Sequence, residues 1–125
     1  MNNVIDNFKQ VVTGKYADFT GRADRKEYWL YVLAMIVISL VLGLFTTLFA
    51  KVKLLYILFA VLSGAVSLAL LIPSLAVTVR RLHDIGKGGG WIFISLIPFI
   101  GAIWLLILLI MQGELDENRF GKPVE

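Results

Sequence analysis

Three stretches of this chain carry no Asp, Glu, Lys or Arg: Leu30 to Ala50, Leu54 to Val79 and Gly88 to Gly113. Each exceeds the ~18 uncharged apolar residues that mark a candidate membrane-spanning helix. No other feature restricts the fold as strongly, because backbone polar groups in hydrocarbon must be paired inside the segment that carries them. At 58% hydrophobic residues and a mean hydropathy of +0.82, the chain has too little polar surface for a soluble domain of its size. The expected fold class is an all-α membrane protein with three transmembrane helices, a tight hairpin plus a kinked third span, preceded by an amphipathic interfacial helix. A single membrane domain, 1–125, is then divided into an amphipathic helix at 4–13, spans at about 28–50, 54–79 and 91–111, and a polar tail at 112–125.

Val4, Ile5, Phe8, Val11 and Val12 fall on one helical face, with Asp6, Asn7, Lys9 and Gln10 opposite. That pattern suits a helix lying in the membrane interface, or equally one packed on the rest of the protein. Thr20 reads as an N-cap for the first span. Tyr28, Trp29 and Tyr31 form an aromatic belt at its mouth, and Arg25, four residues before Trp29, is placed for a guanidinium-over-indole contact. Only Lys51-Val52-Lys53 separates the first two runs, which must therefore form an antiparallel hairpin. Ser39 and Gly43 on one run and Ala60 and Gly64 on the other recur at four-residue spacing, which suggests close helix packing between them. Pro73 should kink the second helix and bring Arg80, Arg81 and His83 back over the bundle. Pro98-Phe99-Ile100-Gly101 interrupts the third run near its middle. A single kinked span is expected, because a lipid-exposed break leaves backbone groups unpaired; a re-entrant pair of half-helices, each ~10–15 Å long, is the alternative.

With three spans, the N-terminus shares a side with the loop at 80–90. That side holds Lys9, Lys15, Arg22, Arg25, Lys26, Arg80, Arg81 and Lys87, while Lys51, Lys53, Arg119 and Lys122 lie opposite. The positive-inside rule then puts the N-terminus in the cytoplasm and the tail outside.

Charged residues concentrate in three blocks. They are Phe19-Thr20-Gly21-Arg22-Ala23-Asp24-Arg25-Lys26-Glu27-Tyr28-Trp29, then Arg80-Arg81-Leu82-His83-Asp84-Ile85-Gly86-Lys87 with Trp91, and then Asn118-Arg119-Phe120-Gly121. In that order, with Pro98 and Gly101 between the last two, they closely resemble the DUF805 family of small bacterial inner-membrane proteins. The resemblance runs from about Phe19 to Pro123, and departs from the usual pattern at Asp24, where a basic residue is common, and at Gly89, where serine is. It implies a multi-pass protein of the bacterial cytoplasmic membrane; the family's function is uncharacterised.

The chemistry available is narrow. The chain has no cysteine and one histidine, so thiolate zinc, iron–sulfur and disulfide chemistry are excluded, and neither a metal nor another cofactor is expected. His83-Asp84 invites an enzymatic reading, yet neighbours on a helix point ~100° apart and no nucleophile is placed by spacing. Transport within an oligomeric channel is a second alternative, with Ser39, Thr46, Thr47, Ser63 and Ser67 as lining groups. Against it, the three runs hold no ionisable residue, and such hydroxyls commonly bond backbone carbonyls. Nucleic acid is not an expected partner, since the basic groups lie at the bilayer surface beside acids. What is left is a non-enzymatic module whose cluster of Arg22, Arg25, Glu27, Arg80, Arg81, His83, Asp84 and Lys87 works at the cytoplasmic face. Mutual ion pairing explains it without a ligand: Asp84 with Arg80, Arg22 or Arg25, and Glu27 with Arg81. The functional reading is binding of anionic lipid headgroups, a partner membrane protein or a second copy, with backbone amides of 86–90 assisting.

Overall fold

In the computed structural model, which describes residues 3–124, the chain runs through α1 (Val4–Val12), α2 (Arg25–Leu48), α3 (Lys53–Asp84), a 3₁₀ arm (Gly89–Leu96) and α4 (Ile100–Ile110). The described residues form an all-α fold with two helices long and apolar enough to cross a membrane, α2 and α3. At 24 and 32 residues they reach ~36 Å and ~48 Å, against a hydrocarbon core of ~30 Å.

Local chemistry sets the helix starts. Asn3 caps α1 by accepting the Asp6 backbone N–H at 2.8 Å. Asp24, not Thr20, caps α2: its side chain accepts the Glu27 N–H at 2.7 Å, and Glu27 stands three residues on, as in a capping box. Thr20 is held outside the helix because its N–H and hydroxyl both donate to Asp18, at 3.0 and 2.8 Å. The cap expected at Thr20 is therefore corrected by four residues. The α2–α3 turn is as tight as expected, closed by the Val52 N–H donating to the Phe49 carbonyl at 3.1 Å.

Two further expectations change. A Cβ added at Gly43 or Gly64 would meet nothing within 4 Å, so neither glycine marks a close helix approach. The turn end of the hairpin is instead held by aromatic bulk: Phe59 stacks on Phe45 and on Phe49, each at 5.6 Å between ring centroids. Ser39 lines a cavity of about 400 Å³ between α2 and α3, and Ala60 is exposed. The hydroxyls of Thr46, Ser63 and Thr78 each donate to the carbonyl four residues earlier, the expected behaviour for buried-span hydroxyls.

α1 packs against α2 and α3 through Val11, which shares a buried cluster with Ala23, Tyr31 and Val77. Asn7, placed by pattern on the polar face, is fully buried and donates to the Glu27 carbonyl at 2.9 Å, while Ile5 is exposed. The packed face is thus rotated from the hydrophobic one, because a side-chain amide reaching a carbonyl of α2 outweighs a methyl contact there. Pro73 lies within a continuous α3. A proline at that position cannot donate to the carbonyl four residues before it, Ala69, and the Tyr16 hydroxyl donates to that oxygen instead, at 2.7 Å.

The third apolar run does not form a single span. It breaks at Ile97-Pro98-Phe99, where Phe99 adopts φ +61°, and the two arms fold back on one another. Both ends return to the Asp84 end of α3, where the Glu114 N–H donates to the Asp84 carbonyl at 2.7 Å. Gly101 makes the return possible: a Cβ there would collide with the Ile94 carbonyl of the facing arm. The span expected at 91–111 is corrected to a hairpin, and the tail lies with the N-terminal block, not opposite it.

Candidate functional site

The end of the bundle where α2 begins and α3 stops buries Arg22, Glu27, Arg80, Arg81, His83 and Asp84. α3 carries the Arg80 block because the helix continues past the apolar run by more than a turn. It then stops at Gly86, whose φ of +80° suits the left-handed position after a helix, with the Lys87 N–H donating to the Leu82 carbonyl at 2.9 Å.

Adjacent arginines on a helix point in different directions, and the two here serve different carboxylates. Arg80 faces α2, where its Nη1 donates to Glu27 and its Nε to the Asp18 carbonyl at 3.0 Å. Glu27 also accepts from Lys15 at 3.3 Å. Arg81 faces α4: its Nη1 donates to Asp84 at 2.9 Å, and its Nε and Nη2 to the carbonyls of Leu109 and Met111. Those oxygens belong to the C-terminal end of α4, where carbonyls have no partner within the helix and the macrodipole favours a cation. The Trp29 indole N–H also donates to Leu109, at 3.2 Å. The contact expected between Arg25 and Trp29 is replaced by this bond, and Arg25 is exposed with no ion pair among the described residues.

Arg22 is the most fully used side chain of the cluster. Its Nε donates to the Asp84 carboxylate at 3.0 Å, its Nη1 to the carbonyls of Asp116 and Gly121, and its Nη2 to those of Asp84 and Glu114. All five guanidinium donors are taken by the protein itself. Of the pairings read from spacing, Asp84 with Arg22 forms. Asp84 with Arg80 and Glu27 with Arg81 are exchanged for Arg81–Asp84 and Arg80–Glu27. Arg80 Nη2 and Asn7 Oδ1 are buried without a hydrogen-bond partner among the described residues.

His83 and Asp84 do not form a dyad. His83 Nδ1 lies 2.8 Å from the Gly21 carbonyl, which can only accept, so the proton is assigned to Nδ1. The imidazole stacks on Phe120 at 3.7 Å between centroids and 2° between planes. Asn118 donates to the His83 carbonyl at 3.0 Å and pairs with Gly121 in a small turn. The two hydroxyls considered with His83 find other partners: Ser74 shares a bond with Tyr31 and Ser95 donates to Ile92. The tail block is thus a latch on the cluster, and its position beside the Arg80 block depends on the two arms folding back on one another.

Like Arg25, Lys26 and Lys122, two cations beside the first arm and in the tail, Lys87 and Arg119, have no carboxylate partner among the described residues. Each lies over an aromatic ring at 4.6 Å, Lys87 on Trp91 and Arg119 on Phe120. An open groove of about 410 Å³, lined by Gly88, Gly90, Trp91, Ile94 and Arg119, runs beside them. Sequence reasoning put Lys87 in the cluster but Arg119 on the far side of the membrane. It also missed Lys15, Asn7 and the tail carbonyls that complete the Arg22 shell.

Comparison with known proteins agrees with these blocks. The family model described as "Protein of unknown function (DUF805)" matches residues 16–122. The chain belongs to the DUF805 family. It is 36% identical over 110 residues to inner membrane protein YhaI of Escherichia coli K12, covering 88% of each chain. It is 35% identical over 114 residues to inner membrane protein YhaH of the same strain, covering 88% of this chain and 89% of that one. An uncharacterized protein of that strain, YiiR, is 35% identical over 141 residues, covering 86% of each. No solved structure matches. Membership of this family and the two apolar helices make the chain a bacterial inner-membrane protein.

Proposed function

We propose that this protein is a non-enzymatic membrane module that binds the phosphodiester of an anionic lipid at Lys87 and Arg119. The carrying observation is that these two cations, each seated over an aromatic ring, flank an open groove of mixed polar and apolar lining, whereas Arg22 has none of its donors to spare. Headgroup binding therefore moves from the buried arginines to the rim, and the buried cluster serves to hold the rim in place. Two cations suit one phosphate, while Trp91 and Ile94 offer the apolar surface an acyl chain needs.

The charge distribution supports a cytoplasmic location for this end. With the tail returned to the N-terminal side, ten of the twelve Lys and Arg lie there and only Lys51 and Lys53 lie at the opposite turn. That asymmetry is steeper than the eight against four expected from three spans, and it favours both termini inside.

The test is native mass spectrometry of the purified protein in detergent with added phosphatidylglycerol or cardiolipin. Lys87→Ala with Arg119→Ala should lower retained lipid by about tenfold, one order per 1.4 kcal/mol of lost contact. Equal retention by the double variant and the natural chain would remove the headgroup site and leave only the ion-paired clasp.

A further inference from the structure

We infer that the molecule is a one-leaflet wedge whose preferred partner is a lipid surface curved so that the leaflet on the Arg22 side is expanded. The inference is independent of the headgroup site. Its basis is a mismatch in length between the two hairpins. The α2–α3 pair crosses the whole core, but the re-entrant arms cannot. Eight residues of 3₁₀ helix at ~2.0 Å and eleven of α-helix at ~1.5 Å each give ~16 Å, about half of a ~30 Å core.

The base of the short hairpin is fixed at the charged end. Arg81 and Trp29 hold the carbonyls of Leu109 and Met111, and Glu114 is bonded to Asp84. The arms therefore penetrate from that end and stop near mid-membrane. Their outer surface is apolar throughout: Phe93, Leu96, Phe99, Ile100 and Ile103 are each more than half exposed, and Phe99 at the tip is 85% exposed. So continuous an apolar surface is at home only in acyl chains. Lys87 over Trp91 marks the level of the headgroups, as a cation and an indole do at an interface.

α1 adds to the same half of the bilayer. It is joined to Glu27 and Tyr31, near the mouth of α2, through Asn7 and Phe8. The charged half thus holds α1, both arms and the ends of α2 and α3. The opposite half holds two helices, closed by the Phe45, Phe49 and Phe59 stack. Two arms of ~10 Å diameter alone add on the order of 160 Å² of cross-section to one leaflet. Segments that occupy one leaflet bind in a curvature-sensitive way, because bending that leaflet outward opens the space they fill.

The chain has no cysteine, so a single thiol reports sidedness cleanly. Lys122→Cys on the tail and Lys51→Cys at the opposite turn would be reconstituted, each in the full chain, into phosphatidylethanolamine–phosphatidylglycerol vesicles about 30 nm and about 200 nm across. Labelling with a membrane-impermeant maleimide, before and after detergent, gives the outward fraction. The outward fraction of Lys122→Cys should be about twofold higher in the small vesicles, whose outer leaflet is expanded, and that of Lys51→Cys correspondingly lower. Trimming the tip with Leu96→Ala and Phe99→Gly should reduce the bias, and glycine keeps the positive φ at 99. Lys87→Ala with Arg119→Ala should leave it intact, which separates this inference from the lipid site. An outward fraction independent of vesicle size would overturn the wedge, as would a second copy filling the space under the arms and cancelling the asymmetry. Labelling of both thiols from the same side would overturn it as well, by showing that the arms cross.

Discussion

Arg22→Ala tests whether the buried cluster is a clasp. In the native chain the guanidinium joins Asp84 to three carbonyls of the tail, and its side chain and that of Asp84 are only 1% and 3% exposed. Removing it takes one cation from beside Asp84, which keeps its pair with Arg81, and strips the carbonyls of Glu114, Asp116 and Gly121 of a charged donor. Breaking a buried pair from one side costs ~3–5 kcal/mol, chiefly through the charge left behind. Some of that cost falls away because the tail can rise into water and solvate its own carbonyls. The expected outcome is a loss of ~3 kcal/mol in equilibrium unfolding in mixed micelles, together with earlier cleavage of the tail by added protease. Arg22→Lys should lose less, ~2 kcal/mol, since it keeps the charge but offers three donors in place of the five-donor fork. Asp84→Asn should be less costly in Arg22→Gln than in the natural background, by ~1–3 kcal/mol of coupling. A cost below ~1 kcal/mol for Arg22→Ala, the level of an exposed pair, would refute the reasoning. So would a tail equally resistant to protease.

Three other outcomes are expected. Tyr16→Phe should destabilise by ~1 kcal/mol by leaving the Ala69 carbonyl unpaired, and the penalty should shrink in Pro73→Ala, where residue 73 regains its N–H; a penalty unchanged in that background would reject the pairing. Gly101→Ala should separate the two arms through its collision with the Ile94 carbonyl, read as faster amide exchange across 92–106 and unchanged exchange in 30–48. The Asp18 carboxyl is held below its ordinary 3.8, first by the Thr20 backbone N–H and also by Arg80. Its stabilisation is complete above that value and is lost as pH falls through the lowered one, so Asp18→Asn should lose less stability than the natural chain between about pH 5 and pH 3.

The α2–α3 hairpin could be read from residue types alone, since two long uncharged runs and a three-residue turn allow little else. Of the expected cluster, Arg22, Glu27, Arg80, Arg81, His83 and Asp84 are buried together while Arg25 is exposed, and the charged blocks pointed to that gathering because such residues are costly beside hydrocarbon. The pairings could not be read. Spacing alone gives Asp84 two arginines on its own helix, and which of them faces it depends on where α2 and α4 lie around α3. The third run failed for a related reason. Its length and composition fit a span, and what prevents one is a close approach at Gly101 and a set of carbonyl acceptors. Backbone oxygens have no residue-type signature, so Leu109, Met111 and Glu114 could not have been singled out.

Those oxygens also explain why three buried arginines face only two buried carboxylates. A cluster of Arg22, Arg80 and Arg81 with Glu27 and Asp84 has one positive charge in excess. An excess charge in a dry site is costly unless hydrogen bonds replace the lost water. Here the replacement comes from the C-terminal carbonyls of α4, which the helix itself leaves unpaired, and from carbonyls of the tail. Each side removes the other's desolvation penalty, so the hairpin and the tail are held by the same cations that lie at the start of α2 and the end of α3. A third carboxylate in place of those carbonyls would balance the charge but release α4, and the arms would lose the base that holds them to α3.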